Sequence, residues 1–148
     1  MTVNAFTSVS LDPPLVLVSL DHKSSMHRIL PHVERFGISM LSEHQEPLSN
    51  HFAGRIVEGL QVNFVRHEGV PLIEGAVAHL VVRRVKEHQA GDHTLYIGQV
   101  EYFESDDQKP LLFYAGRYRH MRDDKAGAHW PEDDFSLFSI GSFDPPVK

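Results

Sequence analysis

The stretch Asn4–Leu20 reads NAFTSVSLDPPLVLVSL and is the most informative part of the chain. It joins a run of small hydroxyl and amide side chains to an apolar segment, through the adjacent prolines Pro13 and Pro14. Because the apolar part is rich in Val and Leu and is bounded by turn residues, it predicts a β-strand at Leu15–Leu20. The small residues before it let a flat ligand approach the backbone, and their amides and hydroxyls can bond its polar edges. We therefore predict a binding segment for an aromatic cofactor, supported by a strand.

Further apolar segments along the chain have the same character, since they are short and rich in Val, Leu, Ile and aromatic residues. We predict strands at Phe36–Leu41, Leu60–Val65, Ala76–Lys86, Thr94–Phe103 and Leu111–Tyr114. The segment Thr94–Phe103 contains Gly98, and we predict that it is either buried on both faces or bent at this glycine. Gly69–Pro71 is predicted as a turn, and the tail after Gly116 as loop up to a weak strand or helix at Phe135–Ile140. Six strands need their edges covered, so we expect a mainly β chain that closes into a barrel.

Two short helices are predicted from capping signals. One begins at Ser24 or Ser25, whose hydroxyls can cap a helix or, equally, donate to a phosphate group. The other has the capping-box pair Ser42 and Gln45 at its start, and Gly54 lies where a helix-ending glycine is expected. The fold class is therefore mainly β with two or three short helices.

The composition bounds the function classes. The chain has 148 residues, of which 41% are apolar and 23% charged, so we expect one globular domain over residues 1–148. Its net charge of −6 argues against a nucleic-acid or anionic-membrane surface. Cysteine is absent, which excludes disulfides and thiolate chemistry and fits a reducing cytosol. The apolar runs are too short to span a bilayer and no signal peptide is evident, so we expect a cytoplasmic protein.

The eleven histidines suggest a metal site, but their spacing does not support one. No two are spaced i, i+2 as on a strand face or i, i+4 as on a helix face, and there is no H-E-x-x-H pattern. We therefore predict no metal. The glycine-rich patterns of the common nucleotide folds are also absent, so a dinucleotide would have to bind by another geometry.

Gly91-Asp92-His93 precedes a predicted strand and has two interpretations. The glycine allows a tight turn, Asp92 can orient an imidazole, and His93 could then donate a hydrogen bond or a proton to a reduced cofactor. A plain hairpin turn with an exposed histidine explains the same three residues.

The segment Leu111–Tyr118, LLFYAGRY, also has two interpretations. Tyr114 or Tyr118 could stack on a ring, and Arg117 could meet a phosphate. A core strand with an amphipathic end fits equally well, because tyrosines are frequent at strand ends.

Taken in order, these segments resemble the flavin reductase family, the small components of two-component flavin-dependent monooxygenases. The matching pieces run in the family's order and cover nearly the whole chain: Asn4–Ser10, Pro13–Val16, Ser42-x-x-Gln45-x-x-Leu48-Ser49, Phe52–Gly54, Gly91–His93 and Leu111–Tyr118. Ala128-His129-Trp130 resembles the tail of members that serve aromatic or steroid hydroxylases.

The resemblance implies an FMN-binding split barrel of Greek-key antiparallel strands, usually a homodimer with flavin near the subunit interface. It implies hydride transfer from NADH or NADPH to FMN or FAD, and a flavin-dependent oxygenase as the partner that takes the reduced flavin. No nucleic-acid or membrane partner is expected. The alternative hypothesis is a flavin-binding or dimerising split-barrel protein without turnover.

The resemblance also assigns site residues by position. The residues assigned to the flavin would contact its ring, its ribityl chain, its phosphate and its far end. They are Asn4, Ala5, Thr7, Ser8, Ser19, Leu20, Asp21, Ser24, Ser25, Met26, His51 and Phe52. The nicotinamide nucleotide is assigned to His93, Phe113, Tyr114, Ala115 and Gly116. His93 is the candidate catalytic residue, for positioning and proton supply.

Two departures from the family pattern bear on the site. Met26 stands where family members usually carry Ser or Thr, so one phosphate donor is missing, and Lys23 or His27 could compensate for it. Family members also carry a further segment before the Asn4 motif. We therefore expect this chain to lack the family's N-terminal segment and to have an altered flavin pocket.

Overall fold

A computed structural model describes residues 1–121, and β-strands dominate them. The elements in chain order are β1 (Phe6–Leu11), β2 (Pro14–Asp21), α1 (Ser25–Ile29), β3 (Arg35–Met40), α2 (Glu46–Phe52), β4 (Phe64–His67), β5 (Val70–Ile73), β6 (Ala78–Ala90), β7 (His93–Ser105), β8 (Leu112–Tyr114) and β9 (Arg117–Arg119). A short 3-10 helix at Leu30–His32 follows α1, and another at Glu43–Gln45 precedes α2. The predictions at Ala128–Trp130 and Phe135–Ile140 lie outside the described residues.

Five antiparallel strands form the main sheet, in the order β1-β2-β7-β6-β3. The chain leaves β2, crosses to β3 at the far edge, and returns through the long hairpin β6–β7. Two smaller hairpins, β4–β5 and β8–β9, complete the strands of residues 1–121. The predicted mainly β class with short helices is confirmed. No helix in this part of the chain is long and apolar enough to cross a membrane.

Within the described residues, the main sheet has β1 at one edge and β3 at the other. The β3 edge is covered by the packing of another element and not by pairing with a further strand. The Ser39 hydroxyl on β3 accepts a hydrogen bond from the Ile73 N–H on β5, at 2.9 Å. Gly37 on β3 is so close to this hairpin that a Cβ there would lie 2.6 Å from the Pro71 carbonyl oxygen. The β4–β5 hairpin therefore lies against the outer strand, which limits the exposure of its backbone groups.

The hydrophobic core follows from strand periodicity. In β2, Val16, Val18 and Leu20 are buried while the residues between them are only half-buried, as a period of two requires. The core cluster consists of Val16, Val18, Leu20, Leu30, Phe36, Leu80, Val82 and Tyr96. Since it joins β2, β3, β6 and β7, it holds the end of β2 and the start of β7 in fixed positions.

Several strand predictions were wrong at particular residues. Leu60–Asn63 lie outside any strand, and β4 begins only at Phe64. The segment Val70–Ile73, predicted to begin as a turn, is strand β5. The tail after Gly116 was predicted as loop, but Arg117–Arg119 pair with β8. Their pairing depends on a two-residue turn with φ of 51° at Ala115 and 75° at Gly116, a turn that suits hairpins.

Strand β1 was not predicted from the sequence. Most of its residues are exposed, and it pairs with β2 through a bulge at Val9. It therefore lacks the apolar alternation that marks a half-buried strand.

The capping predictions are confirmed. The Ser24 hydroxyl caps α1 by accepting a hydrogen bond from the His27 N–H at 3.1 Å. Ser42 and Gln45 form the capping box of the 3-10 helix Glu43–Gln45, which leads into α2. Gly54 follows α2 with a φ of 92°, a conformation that favours glycine.

Candidate functional site

The predicted flavin-ring segment lies along the edge of the sheet. Asn4, Ala5, Thr7 and Ser8 are all exposed, and β1 is an edge strand. The segment is fixed to its neighbour because the Ala5 carbonyl accepts a hydrogen bond from the Ser19 N–H at 3.0 Å. An edge strand presents unpaired backbone N–H and C=O groups, and small side chains leave them accessible. These residues therefore fit a flat ligand with polar edges.

The end of β2 turns sharply beside this segment. The Asp21 side chain accepts a hydrogen bond from the Lys23 N–H at 2.7 Å, and its carbonyl accepts one from the Ser24 N–H at 3.0 Å. These two bonds make residues 21–25 a tight turn, named here the β2–α1 turn. Leu20 has only 3% of its surface exposed, so a ligand could meet its backbone but not its side chain.

The β2–α1 turn carries the residues that the resemblance assigns to a phosphate. The Ser24 hydroxyl accepts the capping bond and still has its own proton to donate. Ser25 and Lys23 are exposed and supply a second hydroxyl and an ammonium group. Met26 packs against the hydrophobic core, so its side chain contributes no donor. The donor set fits an anion, with the cation and hydroxyls expected for a phosphate.

Gly91-Asp92-His93 forms the turn of the β6–β7 hairpin, with a φ of 63° at Gly91. His93 donates from Nδ1 to the Asp92 carboxylate at 2.8 Å, and 41% of its side chain is exposed. This hydrogen bond, followed by the charge of His93, lowers the pKa of Asp92. The hairpin turn and the orientation of the imidazole by Asp92 thus occur together, while donation from His93 to a reduced cofactor stays a prediction. The bond places the proton on Nδ1 and leaves Nε2 available to a ligand.

The structure brings His93 next to the β2–α1 turn. Asp21 and His93 are opposite each other in the β2–β7 ladder. The His22 N–H donates to the Asp92 carbonyl at 3.0 Å, which joins the two turns directly. The residues assigned to the flavin phosphate and the candidate catalytic histidine therefore share one corner of the sheet.

A buried side chain at this corner, Thr94, was not predicted from the sequence. Thr94 is completely buried, and its hydroxyl donates to the Gln89 side-chain oxygen at 3.1 Å. The Thr94 hydroxyl oxygen also lies 3.1 Å from His22 Nε2 and 3.0 Å from His27 Nε2. Because the four residues are up to 72 positions apart, no local spacing reveals them. The only signal in the sequence was two histidines flanking the serines of the β2–α1 turn.

A second group of assigned residues meets at the end of α2. Phe52 accepts a backbone hydrogen bond from Thr2 at 3.1 Å, so the chain ahead of Asn4 is held against this helix. The His51 ring packs edge-on against Phe52, with centroids 5.4 Å apart. His51 Nδ1 accepts a bond from the Val57 N–H at 3.3 Å, which fixes the orientation of the imidazole.

The β8–β9 hairpin carries the other residues assigned to the nicotinamide nucleotide. Phe113 is 53% and Tyr114 73% exposed, and both are open to a ligand. The hairpin is fastened to α2 because the Tyr118 hydroxyl donates to the Ser49 hydroxyl at 2.9 Å. Within residues 1–121, no hydrogen bond or ring contact joins this hairpin to His93. The two parts of the assigned nicotinamide set therefore approach from different elements.

The chain belongs to the flavin reductase family, as its comparison with known proteins shows. The family model described as a flavin reductase like domain matches residues 1–122. The chain is 52% identical over 121 residues to an NADH-dependent flavin reductase from a Rhodococcus species, covering 82% of this chain and 69% of that protein. The family resemblance seen in the motifs is thus confirmed. The extension of the domain to residue 148 stays a prediction.

Solved structures agree with this assignment. The flavin reductase PheA2 in its native state superimposes with a TM-score of 0.79 at 42% identity, covering 82% of this chain and 80% of the other. The styrene monooxygenase flavin reductase from Pseudomonas putida S12 gives 0.76 at 40% identity, with the same coverage. The predicted split-barrel class is therefore confirmed.

Proposed function

We propose that this chain is an NADH-dependent flavin reductase whose active site lies at the corner formed by the β2–α1 turn and His93. The observation that carries the proposal is that three backbone hydrogen bonds join the segments in which the assigned residues lie. The Thr2 N–H donates to the Phe52 carbonyl, the Ser19 N–H to the Ala5 carbonyl, and the His22 N–H to the Asp92 carbonyl. Supporting this, relatives carry the names NADH-dependent flavin reductase and NADH-dependent FAD reductase.

The residues of the chain would hold the flavin in three parts. The exposed backbone of Asn4–Ser8 would bond the polar edge of the ring, and Ser19–Asp21 would lie beside the ring and the ribityl chain. Ser24, Ser25 and Lys23 would bind the phosphate. When bound, the flavin supplies an atom that accepts hydride from the reduced nicotinamide, so the protein needs no nucleophile of its own. The main work of the chain is to hold both rings in register.

His93 would act on the nicotinamide side of this site. Asp92 fixes its tautomer and ring orientation, which leaves Nε2 to contact a ligand or hold a proton. Phe113–Gly116 would close over the nucleotide from the β8–β9 hairpin. His51 and Phe52 would border the far end of the flavin.

Replacing His93 by Ala tests this assignment. We expect kcat/KM for NADH to fall by at least about tenfold, because positioned acid–base groups contribute that much or more. The flavin Kd should change by less than about twofold, since His93 is assigned to the other ligand. Measurement combines steady-state NADH oxidation with flavin titration by fluorescence. Unchanged kinetics would refute the role of His93, whereas equal losses in both quantities would move it to the flavin side.

We also infer a homodimer and an oxygenase partner. Large apolar side chains, including Leu11, Ile56 and Phe64, are exposed in the single chain, and a second copy would cover some of them. Relatives carry the names of reductase components of 4-hydroxyphenylacetate 3-monooxygenase and resorcinol hydroxylase. Light scattering after size exclusion tests the dimer, with a monomer at micromolar concentration as the contradicting result. A cytoplasmic location stays a prediction from the sequence.

The functional assay itself needs a flavin-free control. Purified protein should oxidise NADH only when FMN or FAD is added, and FMN and FAD should be compared at equal concentration. A stable yellow protein with negligible NADH oxidation would instead favour the flavin-binding hypothesis without turnover.

A further inference from the structure

We propose that Thr94 is a positioning residue whose buried hydroxyl holds the β2–α1 turn in the conformation that receives the flavin phosphate. The inference rests on the proposed function and adds to it, because Thr94 is not among the residues assigned to either ligand. Thr94 has 0% of its surface exposed, so it cannot contact a bound flavin. Any effect it has on flavin binding must pass through its neighbours.

The hydroxyl of Thr94 has all of its hydrogen-bonding capacity in use. A hydroxyl has one proton to donate and two lone pairs to accept with. The proton goes to Gln89 Oε1, so the bonds from His22 and His27 are both accepted, and each imidazole carries a proton on Nε2. The two rings lie only 4.8 Å apart around this one oxygen. A buried polar group with full satisfaction fixes the geometry of every group attached to it.

The two histidines connect Thr94 to the phosphate donors. His22 lies within the β2–α1 turn, and His27 lies in α1 directly after it. The His27 N–H donates to the Ser24 hydroxyl, so a single residue links the Thr94 oxygen to the serine that would donate to the phosphate. Because Met26 supplies no donor, the site depends on the orientation of few groups. Loss of the Thr94 hydroxyl should therefore weaken recognition of the phosphate in particular.

A purely structural role for Thr94 makes a different prediction. A general loosening of this corner would weaken every flavin, whether or not it carries a phosphate. Riboflavin has the ring and ribityl chain of FMN but no phosphate, so comparing these two ligands separates the possibilities. Thr94→Ser retains the hydroxyl and serves as the rescue variant, and Thr94→Val retains the shape without it.

The experiment measures Kd for FMN and for riboflavin by fluorescence titration of the full chain, without NADH. For Thr94→Val we expect FMN to bind about tenfold more weakly and riboflavin to change by less than about twofold. Thr94→Ser should bind both ligands as the wild type does, within about twofold. An unchanged FMN Kd in Thr94→Val, or equal losses for both flavins, would overturn the proposal.

A second variant keeps the proposal testable if Thr94→Val does not fold, which circular dichroism would reveal. His22 is exposed, so His22→Phe should fold while removing one bond to Thr94. We expect a loss of about threefold for FMN alone, and no difference between the two flavins would overturn the proposal. Wild-type NADH oxidation is measured separately. If it is absent while the FMN-specific loss is present, the proposed function fails and the role of Thr94 stands.

Discussion

Tyr118→Phe tests whether the β8–β9 hairpin, which we propose contacts the nicotinamide nucleotide, depends on its hydrogen bond to α2. The change removes one hydroxyl, which donates to Ser49 at 2.9 Å. Ser49 is only 3% exposed, so its hydroxyl loses its partner inside the protein, at a cost of about 1–3 kcal/mol. Ser49 lies in α2, where a serine hydroxyl can instead bond a carbonyl one turn back. We therefore expect the lower end, about 1 kcal/mol.

A cost of about 1 kcal/mol corresponds to about fivefold in the equilibrium that docks the hairpin on α2. We expect KM for NADH to rise by up to about fivefold at saturating FMN, with the flavin Kd unchanged. Tyr102→Phe is the matched control, because it also removes a hydrogen bond made by a tyrosine hydroxyl. That bond goes to Glu104, near the end of β7 that is opposite His93. An unchanged KM in Tyr118→Phe, or the same rise in the control, would refute the argument.

Two further predictions concern stability. A Cβ at Gly98 would collide with Val82 Cγ1 and lie 3.1 Å from the Arg83 carbonyl oxygen. Gly98→Ala should therefore lower the free energy of unfolding by about 1–3 kcal/mol, as measured by urea denaturation. An unchanged denaturation midpoint would contradict this close packing. The pKa of Asp92 is lowered below its ordinary value of 3.8, chiefly by the hydrogen bond to His93. The ionised Asp92 carboxylate therefore stabilises the fold above pH 3.8, and this contribution is lost as the pH falls through the pKa of Asp92 in the folded protein. Asp92→Asn should therefore lose less stability than the wild type over that acid range when Tm is followed against pH, and parallel curves would count against the interaction.

Much of the central sheet could be predicted because burial leaves a periodic trace in the sequence. In β2, alternate residues face the core, and the Val and Leu content of the segment records it. The caps at Ser24 and Ser42 were predictable for a similar reason, since their hydrogen bonds are local.

What the sequence did not predict depends on partners distant along the chain. Strand β1 is an exposed edge, so its residues are constrained by pairing with β2 and not by burial. Strand β9 requires a turn with a positive φ at Ala115, a residue that rarely adopts it. Spacing alone does not anticipate such a turn.

The candidate site divides in the same way. The predicted flavin segment and Gly91-Asp92-His93 could be proposed from motifs because the residues of each are adjacent in sequence. The hydrogen bonds around Thr94 join residues from the β2–α1 turn, α1, β6 and β7, and they become visible only once the register of the β2–β7 ladder is known. The packing of Met26 into the core was likewise decided by tertiary structure.

The rate of NADH oxidation with and without added FMN decides whether this chain is a flavin reductase. We expect rapid oxidation that saturates with FMN and a negligible rate in its absence. No flavin-dependent oxidation at any FMN or FAD concentration, from a protein that circular dichroism shows to be folded, would contradict it.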